Sequence, residues 1–297
     1  MRTAGRALAV IPSLSGTVAG LEQLTADLRV AGFEPLVVVT GSTLDRALTG
    51  TDIPHVSPRA NPGFGAAVSV GAAHLDWEWL AIVNDDVEFD AQHLHEHLAP
   101  VLAGSGQARV LHYLDPVSPK RIPTVRATLG EVSLLGPVLA RLSRRSRRAG
   151  GEPDPRHQFR PFSFALVSRG LWDELAGFDD RMPYTFEDAD FGHRAALAGA
   201  SIVFSEGTSV RHDRSSTSGR YLAEVLPVAA WSASGYLQTL GMAPRRARRL
   251  CAAALVLRLV IIPFSGSPNR RHLIGSWRGA RSLWLGRQPA LPAYDSI

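Results

Sequence analysis

The sequence predicts an α/β fold: a mostly parallel central sheet flanked by helices, followed by a C-terminal helical appendage. Three observations carry this. Apolar runs of four or five residues alternate with stretches of helical spacing, the pattern of βαβ units. The runs are apolar throughout rather than at every second residue, as in strands buried on both faces. From Tyr221 onward only helical spacing remains.

Ala7–Ile11 reads as the first strand, closed by Pro12-Ser13. Val18, Leu21, Leu24 and Leu28 recur at helical spacing, with Gly32 as a C-terminal cap. Leu36–Val39 is the second strand and completes a βαβ unit; His55-Val56 is a shorter one. In Asn61-Pro62-Gly63-Phe64-Gly65, the glycines allow a sharp turn or a close approach to a ligand. The small residues that follow suit a helix packed tightly on the sheet. Trp79–Val83 is the third long strand and runs into Asn84-Asp85-Asp86. Asp90 then caps a helix whose His93 and His97 share one face. His95-Glu96 does not open a zinc-protease motif, because Ala99 stands where its second histidine belongs, and His93 and His97 read as a solvated face.

Val110–Tyr113 reads as a strand, and Pro116, Pro119 and Pro123 mark loops. Leu129–Leu142 reads as a short helix ending in the arginine run 144–148, with a Gly/Pro joint at 150–155. Phe162–Val167 is a further strand and Leu171–Leu175 a helical turn. Thr185 is placed to cap a helix reaching Gly199, with Asp188 at its third position. Ile202–Phe204 is the last strand. Leu250–Phe264 is apolar, interrupted by Arg258, and too short to span a bilayer; it suits either a core helix or one lying on anionic lipid.

Composition narrows the function. With 45% hydrophobic residues in 297, a substantial core is available and wholesale disorder is excluded. One cysteine and no leader-like N-terminus suit a reducing cytoplasm. The net charge is +5, concentrated at Arg141–Arg148 and from Arg245 to Arg287, a pattern suited to phosphate-bearing ligands or a membrane surface. These arginines show no interleaved aromatic stacking pattern of the kind nucleic-acid binders use, so no nucleic-acid partner is expected.

Two carboxylate clusters carry chemistry. Asn84-Asp85-Asp86 ends a buried strand, where open α/β sheets bind ligands, and can hold a divalent cation; a plain strand-to-loop turn would use the same residues. Glu187, Asp188 and Asp190 crowd one helical first turn beside aromatic residues. Helix-dipole stabilisation explains one or two carboxylates there but does not require three.

The motif order Val10-Ile11-Pro12-Ser13, Asn61-Pro62-Gly63-Phe64-Gly65, Asn84-Asp85-Asp86-Val87, Gly177-Phe178-Asp179-Asp180, Phe186-Glu187-Asp188-Ala189-Asp190 and Val210-Arg211-His212 resembles the family 2 glycosyltransferases. Within them it is similar to the bacterial rhamnosyltransferase-like group. The resemblance covers about residues 7 to 220 and implies a GT-A fold, with a nucleotide-binding part near 1–103 and an acceptor-side part near 104–220. Residues 221–297 form the basic helical region.

The resemblance also implies an inverting transfer from a nucleotide-diphosphate sugar, dTDP-rhamnose or a UDP-sugar, to a hydroxyl of a glycan, a lipid-linked acceptor or a small molecule. Asp86 and His212 would hold Mg2+ or Mn2+. Pro12, Ser13, Asn61, Gly63, Gly65, Asn84, Asp85, Arg211 and Arg214 would face the donor. Asp188 would be the general base, with Glu187 beside it. The expected location is the cytoplasm, with a peripheral contact at the inner face of the plasma membrane.

Two departures stand out. Val39-Thr40-Gly41-Ser42 lacks the acidic residue that reads the nucleotide base in the family, and Phe162-Ser163 replaces its Gly-Ala. The rival readings are a degenerate nucleotide-sugar-binding module and a sugar nucleotidyltransferase. The latter is disfavoured because Leu14-Ser15-Gly16-Thr17 lacks the repeated glycines and the lysine of a triphosphate loop.

Overall fold

The computed structural model describes residues 6–13, 16–58, 60–136, 154, 156–212, 222–264 and 270–291. From one edge to the other, its central sheet runs β3 (His55–Val56), β2 (Glu34–Val39), β1 (Ala7–Ser13), β4 (Trp79–Val83), β9 (Phe164–Ser168), β6 (Val110–Tyr113) and β10 (Ser201–Phe204). All of these run parallel except β9, which is antiparallel to both neighbours. The chain moves outward from β1 to β2 and β3, then returns to place β4 on the other side of β1. The crevice between the carboxyl ends of β1 and β4 is therefore the topological switch point of the sheet.

Side chains alternate across the sheet, so each strand feeds two cores. Ala7, Ala9 and Ile11 pack with Leu21, Leu24 and Leu28 of α1 (Val18–Val30), and with residues of α2 (Ser42–Leu48) and α4 (Ala91–Leu102). Leu8 and Val10 face α3 (Phe64–Ala72), with α6 (Arg169–Leu175) and α7 (Glu187–Leu197) on the same side. Gly71 shows why α3 is built from small residues: a Cβ there would lie 2.6 Å from Val10 Cγ1.

Two short ribbons complete this part. β5 (Val87–Glu88) pairs with β11 (Arg211–His212), and β7 (Lys120–Arg121) pairs with β8 (Gln158–Phe159). The C-terminal helices α8 (Leu222–Thr239), α9 (Pro244–Ile261) and α10 (Arg270–Leu285) pack on one another; α5 (Val125–Val132) touches α8 and α9, and α7 touches α8. Among the described residues no helix is long and apolar enough to cross a membrane.

Several expectations are corrected. β1 continues through Pro12 and Ser13 rather than ending before them; Pro12 removes one donor near the strand end without breaking the register with Val38. Of the helix expected at 129–142, the first residues belong to α5, which is capped by Thr124 and ended by Ser133, with Leu134 at φ 65°; positions 137–142 lie outside the described residues. The arginine run at 144–148 lies outside the described residues. His97 is not on a solvated face: it is half-buried and bonds Ser205 Oγ at 3.1 Å. The 250–264 stretch is buried on one side only. Cys251, Ala252, Leu255 and Arg258 are buried, while Val256, Leu257 and Val260 are exposed.

Candidate active site

At the switch point, Ser13 ends β1 fully buried, and its Oγ donates to Asp85 Oδ2 at 2.6 Å across the crevice. The Gly16 amide donates to the same Oγ at 3.3 Å. Burial pushes the Asp85 carboxyl above the usual carboxylate range. The neighbouring Asp86 charge adds to this, and the Ser13 bond opposes it.

Asp86 Oδ1 lies 3.0 Å from His212 Nε2, and Asn84 Nδ2 lies 3.4 Å from the same nitrogen. The β5–β11 ribbon makes this meeting, since it registers His212 against Val87, one residue past Asp86. On its other side, His212 Nδ1 is 3.9 Å from buried Asp115, which accepts hydrogen bonds from the Ser163 hydroxyl and the Val117 amide.

A carboxylate oxygen and a neutral imidazole nitrogen at this spacing form a donor pair of the kind Mg2+ or Mn2+ accepts. Among the described residues no group of three or more His, Cys, Asp or Glu could hold a metal. A cation here would complete its shell with oxygens of a ligand or water.

The second carboxylate cluster opens onto a separate pocket of ≈ 870 Å³. Asp188, Glu187 and Glu131 lie on its wall, with Lys120, Arg121 and Arg126 also lining it. None of Asn84, Asp85, Asp86 or His212 lines this pocket. Burial raises the Asp188 carboxyl above its ordinary range, an effect that Lys120 and the Ala189 amide partly offset. Glu187 is raised too, first by burial and then by the charge of Asp188, and its Oε2 is buried without a hydrogen-bond partner. Asp190 does different work. It is fully buried and binds Arg194 Nε at 2.7 Å, and Arg194 donates onward to the Leu175 and Gly177 carbonyls. That braces α7 against the Gly177–Asp180 turn.

Thr185 does not cap α7. Thr185 and Phe186 both take left-handed backbone, at φ 66° and 67°, and α7 begins at Glu187, so Asp188 is its second residue. Each such residue costs about 1–3 kcal/mol and persists only where tertiary contacts impose it. Here the Tyr184 amide donates to Ser232 Oγ at 3.1 Å, and Phe186 stacks on Tyr236 at 5.3 Å. Tyr236 is itself fixed by its hydroxyl bond to the Pro123 carbonyl. Both holding residues come from α8.

The glycine loop has a packing explanation. Asn61 Oδ1 accepts from the Gly63 amide at 3.1 Å. Gly63 at φ +91° lies against the Pro183 carbonyl, and Gly65 lies against the Phe178 ring. These residues tie the loop to the segment that leads into Asp188. Arg211 is exposed on β11, and Arg214 lies outside the described residues.

Three residues at these sites were not picked out from sequence. Asp115 follows the Val110–Tyr113 strand, so the strand-end rule that found Asp86 would have found it too. Lys120 is the single lysine beside 31 arginines, a count that marks it. Buried Arg160, donating to the Ser205 carbonyl at 2.7 Å, had no local signal.

No family model and no curated protein matches the chain. Among solved structures it is similar to the mannosyltransferase PcManGT from Pyrobaculum calidifontis, in complex with GDP-Man and Mn2+. That match has 14% identity and a TM-score of 0.48 and covers 96% of this chain and 86% of that one. It is also similar to S. aureus TarS, at 12% identity and TM-score 0.44, covering 84% of this chain and 43% of that one. The 1–349 form of TarS gives 13% identity and TM-score 0.45, with 95% and 92% covered. Likeness at this level assigns no activity to the chain, so function must be argued from its residues.

Proposed function

We propose that the chain is an inverting glycosyltransferase of GT-A type, taking a nucleotide-diphosphate sugar as donor. The observation that carries this is the switch-point cluster. Ser13 and Asp85 bridge β1 and β4, and Asp86 meets His212 at 3.0 Å beside them. Asp86 and His212 would hold Mg2+ or Mn2+, which when bound supplies positive charge against a diphosphate leaving group. Asn84 and Asp85 face the donor from the same strand end.

Asp188 serves as general base from the pocket it lines. It takes the proton of an acceptor hydroxyl as that oxygen bonds to the anomeric carbon and the bond to the diphosphate breaks. A carboxylate raised by burial suits this task, because it is basic enough to accept the proton yet still ionised at neutral pH once it has passed its own pKa. Lys120, Arg121 and Arg126 around the pocket suit an acceptor that carries negative charge, and its apolar walls suit the rest of that molecule. dTDP-rhamnose and UDP-sugars head the donor list.

The test is thermal stabilisation by a panel of nucleotide sugars with and without Mn2+. Stabilisation by one donor, dependent on metal and abolished in Asp86→Ala, is the expected result. A donor that stabilises the protein equally without metal and in Asp86→Ala would overturn the metal assignment and favour a binding module.

A further inference from the structure

The C-terminal helices carry a surface that the catalytic reading does not use. Between residues 225 and 294 the sequence has ten arginines and no aspartate or glutamate. Of these, only Arg258 is buried, spent on the Val132 carbonyl and His272 Nδ1. On α10, Leu273, Trp277 and Trp284 are 36%, 63% and 72% exposed. At 3.6 residues per turn they fall within roughly 40° of arc, with Arg270 and Arg281 beside them. Leu285 is 51% exposed at the end of the same helix. Trp277 also lines a cleft of ≈ 500 Å³ between α8 and α10, together with Arg278, Arg281 and Arg287 and one carboxylate, Glu224.

We propose that this face of α10, with its arginine cleft, binds the surface of an anionic phospholipid bilayer. The tryptophans sit at headgroup depth, and the arginines take lipid phosphates. The residue types match that boundary, where indole rings are enriched and basic side chains pair with acidic headgroups. A second copy of the chain fits poorly, because pairing this face with itself would oppose arginine with arginine. A spanning role is excluded for the described helices by their length and polarity. The face expected from sequence was the 250–264 stretch. The structure shifts the centre of the surface to α10, since α9 turns Cys251, Leu255 and Arg258 inward.

The test is co-sedimentation of the full chain with vesicles of phosphatidylcholine alone, or with roughly one-third phosphatidylglycerol. Binding to the anionic vesicles only, released by about 1 M salt, is expected. Arg278→Gln/Arg281→Gln should weaken binding roughly thirty-fold, and Trp277→Ala/Trp284→Ala at least about tenfold. All four side chains are exposed, so thermal unfolding should stay unchanged; the arginine pair decides the matter if the tryptophan pair does perturb folding. Equal binding to neutral vesicles, no vesicle binding by the wild type, or arginine variants that bind as well as wild type would each overturn the proposal. So would tryptophan variants that turn a wild-type dimer into a monomer while keeping vesicle binding. The readout does not involve turnover, so the proposal stands or falls apart from the transferase reading.

Discussion

Gly63→Ala is the most informative single substitution, because its cost can be worked from the structure. Gly63 has φ 91° and ψ 167°, a region essentially closed to residues with a side chain, at about 1–3 kcal/mol. A methyl there would also overlap the Pro183 carbonyl, lying 2.9 Å from its carbon and 3.0 Å from Leu291 Cδ1. Forcing backbone apart in a packed site costs about 1–3 kcal/mol more. The sum, about 4 kcal/mol, should lower Tm by roughly 10 °C in a chain of this size. Gly50→Ala is the control: it has φ 87° but open space where the Cβ would go, so it pays only the backbone part. Thermal and urea unfolding of both variants read the difference directly. If Gly63→Ala is no more destabilised than Gly50→Ala, the contact with Pro183 is not what requires glycine, and close approach to a ligand becomes the better explanation of the loop.

Other outcomes follow from the carboxylates on α7. Asp188→Asn should fold normally and lose about 10²–10⁴-fold in turnover, measured with the donor that stabilises the protein; unchanged turnover removes it as the base. The wild-type rate should rise with pH through a value above the ordinary carboxylate range, because Asp188 must be ionised to act and burial holds its proton longer. Glu187 sets a stability trend. Its folded pKa is raised, so as pH rises above the ordinary carboxylate value of about 4.3 the unfolded chain ionises first and gains. Stability therefore falls until pH passes the raised folded value. Glu187→Gln should flatten that fall and match wild type near pH 4; a Tm-versus-pH series with the same slope in both proteins would remove Glu187 as its source.

The inner strands could be read from sequence because burial on both faces makes them apolar throughout, a signal needing no partner. The same logic placed Asn84-Asp85-Asp86 at a strand end and made them a candidate ligand site. What the chain does not announce locally is who meets whom. His212 reaches Asp86 through a two-residue ribbon joining segments more than 120 positions apart, and only the motif resemblance pointed to it. Gly63 and Gly65 advertise closeness to something, but the something is Pro183 and Phe178, far along the chain. Thr185 satisfies the local pattern for a helix cap, yet stacking of Phe186 on Tyr236 goes with a left-handed turn that takes Thr185 out of that role. Each miss is a tertiary contact overriding a correct local rule.

The grip of α8 on the segment before Asp188 changes how the C-terminal helices should be regarded. Ser232 and Tyr236 hold Tyr184 and Phe186 in backbone that would otherwise relax, and the same helix supplies Glu224 and Pro227 to the arginine cleft one face away. A chain cut at residue 221 would keep every residue of the sheet and both carboxylate clusters. It would lose the contacts of Ser232 and Tyr236 with the segment that precedes one of them. The helical region thus helps to shape the candidate site rather than trailing from it, because α8 contacts the two residues, Tyr184 and Phe186, that lead into Glu187 and Asp188.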